Sequence, residues 1–284
     1  MPCEYIVCRE LHRFARLKFV PMRVLLFVLL FAVNASAQVA PIKHGHAHND
    51  YMHSRPLFEA LENGFTSIEI DVFLHNNELK VAHVGVGLDK KQNIQQLYLD
   101  PIKKIIDKNG GNVYKGFNTP VIFMIDFKTG GIETYYKLNE ILKSYESIIS
   151  VYAHDSVIHQ RAINILISGN CPIGELLKSD TAFATVDAGI NSLDNPGIDK
   201  AVTRYSNPWG SYFTWKGKGE MPETQKAKLD SLVAKAHAKH KHIRFYHIPD
   251  KPNVWRTLLD AGVDWINTDK LKEYRKFYEQ DYRR

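Results

Sequence analysis

The chain has 284 residues, of which 44% are hydrophobic, 24% charged and 11% aromatic. This is enough to bury a core in one large domain or two small ones, and it excludes disordered, collagen-like and low-complexity classes. Basic residues outnumber acidic ones 37 to 31, but residues 1–37 hold five of the first and two of the second, leaving 32 against 29 in the remainder; so small and scattered a surplus gives no footprint for nucleic acid.

The first element is an address label. Arg23 precedes an apolar run from Val24 to Val33, and Ala35-Ser36-Ala37 has the small-residue pattern of a signal-peptidase site. Residues 1–37 therefore read as a signal peptide, with Met22 a better start than Met1, and cleavage would leave Gln38 heading a domain over residues 38–284. A run of ten residues is half a bilayer-crossing helix, so no stable membrane anchor is expected, and the protein is expected to be exported, periplasmic or extracellular. Cys3 and Cys8 fall in the removed segment, and Cys171 alone makes no internal disulfide.

Beyond this segment, β-branched and aromatic runs alternate with amphipathic stretches, the pattern of parallel βαβ units. The first strand is expected at Ile42–His48. A helix follows, capped by Ser54 with Pro56 in its first turn, Leu57 and Leu61 on one face and Gly64 ending it. The second strand is expected at Ser67–Phe73, with an Asn76-Asn77 turn folding Glu78–His83 back on it. Further strands are expected at Val121–Phe127, Ile163–Ser168, Phe183–Asp187, Ser211–Trp215 and Ile243–His247. A helix from Asn253 to Ala261, stopped by Gly262, leads to the last strand at Trp265–Thr268. Eight strands over this length fit a single-domain α/β fold, the (β/α)8 TIM barrel.

Side chains two apart on a strand share a face, and in such a barrel the polar face points inward, with the active site at the strands' C-terminal ends. This test selects Glu69 and Asp71 on the second strand, Asp126 and Lys128 on the third, and His44, His46 and His48 on the first, with His83 closing the extra strand. Two carboxylates buried at i and i+2 repel unless one takes a proton or a cation joins them. Glu69, Asp71 and Asp126 form an oxygen-only set that suits one divalent ion, Mg²⁺ or Ca²⁺, better than zinc. A phosphodiester requires one group to deprotonate the nucleophile and another to protonate the leaving oxygen, and His46 and His83 are the pair selected for these roles. Lys128 reads either as a fixed positive charge for a phosphate oxygen or as the ion-pair partner of Asp126. His48 and Asn49 are assigned to substrate positioning, and Trp215 to the mouth.

With these residues in place the chain resembles the glycerophosphodiester phosphodiesterase and phospholipase-C-like barrel superfamily. The resemblance lies in Gly45-His46-Ala-His48-Asn49-Asp50-Tyr51, in Gly64-Phe-Thr-Ser-Ile-Glu69-Ile-Asp71-Val72 with Ala82-His83, in Ile125-Asp126-Phe-Lys128-Thr129, and in Ala261-Gly262-Val-Asp-Trp-Ile-Asn-Thr268-Asp269. The first patch looks most like altered inheritance of mitochondria protein six homologues, and the third also resembles secreted sphingomyelinase D enzymes. The resemblance implies His46 and His83 as acid and base, and Glu69, Asp71 and Asp126 around one Mg²⁺ or Ca²⁺. Ala47 follows His46 where glycerophosphodiesterases carry Arg, and their Pro-Glu-Asn motif is absent, which leaves open whether His46 or His48 reacts.

The expected partner is a small-molecule or lipid phosphodiester, with no nucleic acid; oligomeric state is left open. Two other readings stand beside this one. His44-x-His46-x-His48 also resembles the first-strand zinc motif of amidohydrolases, for which His247 is the one further ligand in view. A phosphoryl- or inositol-binding barrel without turnover is the other.

Overall fold

The β-branched runs pair side by side and close on themselves. The protein is described by a computed structural model over residues 39–282, so the expected signal peptide, with Met22, Cys3 and Cys8, lies outside the described residues. The strands are β1 (Ile42–Ala47), β2 (Phe65–His75), β3 (Glu78–Val81), β4 (Val121–Phe127), β5 (Val151–Ala153), β6 (Ser156–His159), β7 (Ile163–Gly169), β8 (Ala184–Gly189), β9 (Val202–Pro208), β10 (His242–Tyr246) and β11 (Trp265–Thr268). Parallel ladders run in the order β1, β11, β10, β9, β8, β7, β4, β2, and β1 pairs back with β2, closing an eight-stranded barrel. Asn76 and Asn77, both at positive φ, turn β3 antiparallel onto β2 outside the closed ring.

Helices α1 (Phe58–Glu62), α2 (Asp100–Lys108), α3 (Gly131–Lys143), α4 (Ile173–Leu177), α5 (Glu223–His237), α6 (Pro252–Asp260) and α7 (Leu271–Phe277) supply connections and cover. The main apolar core lies between strands and helices: Ile68, Ile70 and Val72 on the outer face of β2 are wholly buried, as are Val254 and Leu258 of α6. The inner face carries the polar residues.

Three local expectations shift. The sixth barrel strand is Val202–Pro208, not Ser211–Trp215. β9 hides itself because Arg204 and Ser206 interrupt its apolar pattern from inside the barrel, whereas Trp209 and Phe213 are a core cluster with ring centroids 4.2 Å apart, following the strand. The first helix begins at Phe58, and Ser54 bonds the Glu59 carboxylate at 3.1 Å instead of capping backbone. What holds the turn before that helix is Asp50, wholly buried, whose Oδ2 accepts from Leu57 N at 2.6 Å and Tyr98 Oη at 2.8 Å. The Leu57 N–H bond keeps that residue at a φ of 66°, a conformation leucine rarely adopts.

Candidate active site

At the C-terminal ends of the strands a cavity of about 530 Å³ opens, lined among others by His48, Glu69, His83, Asp126, Lys128, Arg244, Tyr246 and His247, with the His48 and His247 rings 5.8 Å apart. Such a cavity has the size of a small-ligand pocket, and its polar walls follow from strand alternation: β2 turns Ile68 and Ile70 outward, so Glu69 and Asp71 turn in.

Beneath it lies a buried ionic layer. Arg244 Nη1 donates to His46 Nε2 at 2.6 Å and to Asn267 Oδ1 at 2.8 Å, and lies 3.4 Å from Glu69 Oε2. Its Nε donates to Ser206 Oγ at 3.2 Å, and its Nη2 is 3.6 Å from Asp187 Oδ2. A guanidinium can only donate, so His46 Nε2 accepts and Nδ1 carries the proton that reaches Ser67 Oγ at 2.7 Å. Complete burial, then the Arg244 charge, holds His46 well below its ordinary pKa, so it is neutral. Burial alone would push Glu69 up, but the neighbouring positive charge of Arg244 outweighs it and holds the carboxyl well below the usual carboxylate range. His46 is wholly buried and forms no part of the cavity wall.

Three other imidazoles line the cavity, and two of them, His48 and His83, are tied through Nδ1 to a carboxylate, directly or by way of Tyr51. His48 places Nδ1 2.8 Å from Asp269 Oδ1, just past β11. Burial opposes its charge, yet the bond to Asp269 outweighs it and raises the His48 pKa. His83 places Nδ1 3.0 Å from Tyr51 Oη, and that hydroxyl lies 2.7 Å from Asp71 Oδ2. Burial, then the bond to Asp71, raises the Tyr51 pKa, so the phenol keeps its proton for the aspartate and accepts one from His83 Nδ1. Both rings thus have Nδ1 occupied by a partner while Nε2 remains available to a ligand.

Asp71 and Asp126 are direct cross-strand neighbours. Lys128 Nζ bridges them, 3.0 Å from Asp71 Oδ2 and against Asp126 Oδ2, while Ser168 Oγ donates to Asp126 Oδ1 at 2.7 Å. Among the described residues no three His, Cys, Asp or Glu side chains stand close enough, as placed, to hold an ion. The donor set nevertheless suits one. Asp71 Oδ1 is buried with no hydrogen-bond partner, and Glu69 and Asp126 line the cavity. Glu69, Asp71, Asp126 and Asp187, set against Lys128, Arg204 and Arg244, leave one formal negative charge unbalanced, and the available atoms are oxygens, which a hard divalent ion prefers.

His48, Asn49, Glu69, His83, Asp126 and Lys128 all line the cavity, and Asp71 stands buried behind them in contact with Lys128 and Tyr51. Trp215 does not belong there: it is buried in the core with its indole N–H on Lys218 O at 3.2 Å. His44 sits away from the cavity, its Nδ1 on Asp264 O at 2.9 Å, so the three first-strand histidines occupy three depths and make no common ligand set. Arg204, Asp187 and Arg244 were not singled out from the sequence, although Arg244 and Tyr246 alternate with Ile243 and Phe245 just as Glu69 and Asp71 do with their neighbours.

Residues 33–185 match the family model of the AIM6-like phosphodiesterase domain. The chain belongs to that family. Residues 242–272 also match the glycerophosphoryl diester phosphodiesterase family. Altered inheritance of mitochondria protein 6 of Eremothecium gossypii is 30% identical over 266 residues, covering 82% of this chain and 68% of the relative. The Kluyveromyces lactis protein of the same name is 26% identical over 308 residues, with 84% and 73% covered. Among solved structures, phosphatidylinositol-specific phospholipase C from Listeria monocytogenes superposes with a TM-score of 0.49 at 12% identity, covering 84% of this chain and 94% of that one. The AIM6-like match spans His48, Glu69, Asp71, His83, Asp126 and Lys128, and the second match spans Arg244, His247 and Asp269.

The Asp269 contact makes a measurable demand. In an NMR titration His48 should stay protonated to higher pH than an ordinary histidine, and Asp269→Asn should lower its pKa, because the anionic acceptor that favours imidazolium is gone. An unchanged His48 titration in the variant would contradict the pairing.

Proposed function

We propose that this AIM6-like domain is an exported phosphodiesterase that uses His48 and His83 for proton transfer beside a divalent ion. The observation that carries the reading is the pair of imidazoles lining one cavity, each with Nδ1 held by its own partner and Nε2 free, beside a carboxylate cluster with a fixed lysine. Two proton-transfer groups at one anion-binding cavity are what cleavage of a phosphodiester requires.

His48 takes the acid role, because Asp269 stabilises its charged form. Its Nε2–H gives a proton to the departing alkoxide as the P–O bond breaks. His83 Nε2 takes the proton from the attacking hydroxyl, whether of water or of the substrate itself, as the new P–O bond forms. Asp71, acting through Tyr51, fixes the tautomer of His83 that leaves this lone pair available. Lys128 sets a positive charge beside the nonbridging phosphoryl oxygens. Glu69, Asp71 and Asp126 would hold Mg²⁺ or Ca²⁺, which when bound would neutralise charge on those oxygens. His46, assigned to catalysis from the sequence, is reassigned to the floor: buried, neutral and occupied at both nitrogens by Ser67 and Arg244, it has no path to a substrate proton.

Export rests on the Ala35-Ser36-Ala37 site, and N-terminal sequencing of the protein from its host should begin at Gln38; a chain that begins at Met1 would remove that part of the proposal.

The catalytic assignment is tested by leaving-group dependence. His48→Asn and His83→Asn should each cut kcat/KM by roughly 10²–10⁴-fold with an alkyl phosphodiester. A p-nitrophenyl diester, whose leaving group needs little protonation, should restore much of the rate to His48→Asn and little to His83→Asn. His46→Asn should show the same fractional loss with both substrates. If His46→Asn alone is rescued by the good leaving group, the acid is His46 and the present assignment fails.

A further inference from the structure

Beside the active-site cavity runs a second one of about 460 Å³, between the loop that follows β1 and the loop that follows β3. Its lining includes Met52, Pro56, Val81, Val84, Val86 and Leu97, with Lys91 and Gln92 as its polar members away from the site. Three of these apolar side chains are held in solvent: Met52 is 65% exposed, Val84 57% and Val86 77%. Scattered exposed apolar residues need no explanation, but a cluster lining a concave surface does.

Its position says what covers it. His83 lines both cavities, and the ring of Tyr51 lines the groove while its hydroxyl binds Asp71 inside the site. A ligand with its phosphoryl group between Lys128 and His83 would therefore find apolar wall immediately beyond His83. We propose that this groove seats the hydrocarbon chain of a single-chain amphiphilic phosphodiester, of the lysophospholipid type; the inference rests on the phosphodiesterase reading above and names its substrate class. The two cavities share one wall residue, His83, so a single chain leaves the phosphoryl group by this route. The charged end stays with the lysine and the imidazoles, and the chain displaces water from Val84 and Val86.

The test is a calorimetric titration of the full chain with butyl-, hexyl-, octyl- and decylphosphocholine, each below its micellar concentration. Full burial of a methylene is worth about 0.8 kcal/mol, close to fourfold in affinity, so Kd should fall roughly two- to fourfold per methylene in this half-open groove and then level off. In a Val84→Ser/Val86→Ser variant the dependence on chain length should flatten while the Kd of butylphosphocholine stays unchanged. A Kd indifferent to chain length, or a slope that survives in the variant, overturns the proposal. So does decanol competing as strongly as decylphosphocholine, since the groove would then serve an apolar segment unconnected with the phosphoryl site. The two readings fail separately: a full chain-length slope without turnover of any phosphodiester leaves the groove and removes the enzyme, whereas turnover of glycerophosphocholine with no slope does the reverse.

Discussion

The guanidinium of Arg244 is the interaction on which the site depends. It stands in the barrel lumen bonded to His46, Asn267 and Ser206, with Glu69 and Asp187 within ion-pair distance. TIM-barrel interiors are ordinarily filled by layers of branched apolar side chains; here one layer is ionic. Burying a charge costs several kcal/mol unless a partner and hydrogen bonds offset it, so these groups are tolerable only as a set. Arg204 is the second cation, donating to Ser67 at 3.2 Å and lying 5.0 Å from the Trp265 ring centroid. The layer fixes Glu69 as an anion and His46 as a neutral acceptor, and thereby presents a rigid carboxylate to the cavity above.

That constraint separates the first-strand histidines. His44 and His46 lie on β1 and His48 just past its end, and each step of two residues along a strand climbs roughly 7 Å. The lowest lies outside the cavity, the middle one is sealed in the ionic layer, and the highest reaches the rim where Asp269 arrives from the last strand. Alternation in a sequence reports the face but not the depth, which is why spacing does not choose between His46 and His48. Depth is set by where the barrel ends, and that depends on the register of β1 against β11, in which His46 stands opposite Asn267.

The parts legible in the sequence were those with an apolar partner pattern. Glu69 and Asp71 announce themselves because Ile68, Ile70 and Val72 are all wholly buried, and Asp126 follows from the same reasoning one strand on. β9 escaped because its inward positions are Arg204 and Ser206 and its end is Asn207-Pro208, which reads as a loop; the aromatic run after it mimicked a strand. Arg244 escaped because a lone arginine in a strand ordinarily marks a solvated face, and only the closed barrel turns that face into the lumen. Tyr51 and Asp269 were present in recognisable patches, but their pairing with His83 and His48 joins residues 32 and 221 apart in sequence, a relation that no local spacing encodes.

Site and barrel therefore explain each other: polar inner faces that would destabilise an ordinary core are held by mutual charge, and the same charges leave oxygens and two free imidazole nitrogens at the rim. The most direct measurement is phosphorus NMR of the purified protein incubated with Mg²⁺ or Ca²⁺ and a panel of lysophospholipids, glycerophosphodiesters and inositol phosphodiesters, run beside a His48→Asn/His83→Asn double variant. The account predicts that at least one phosphodiester resonance is replaced by that of a phosphomonoester or cyclic phosphate in the wild type and persists in the variant. Persistence of every diester in both samples, or equal conversion in both, would contradict it.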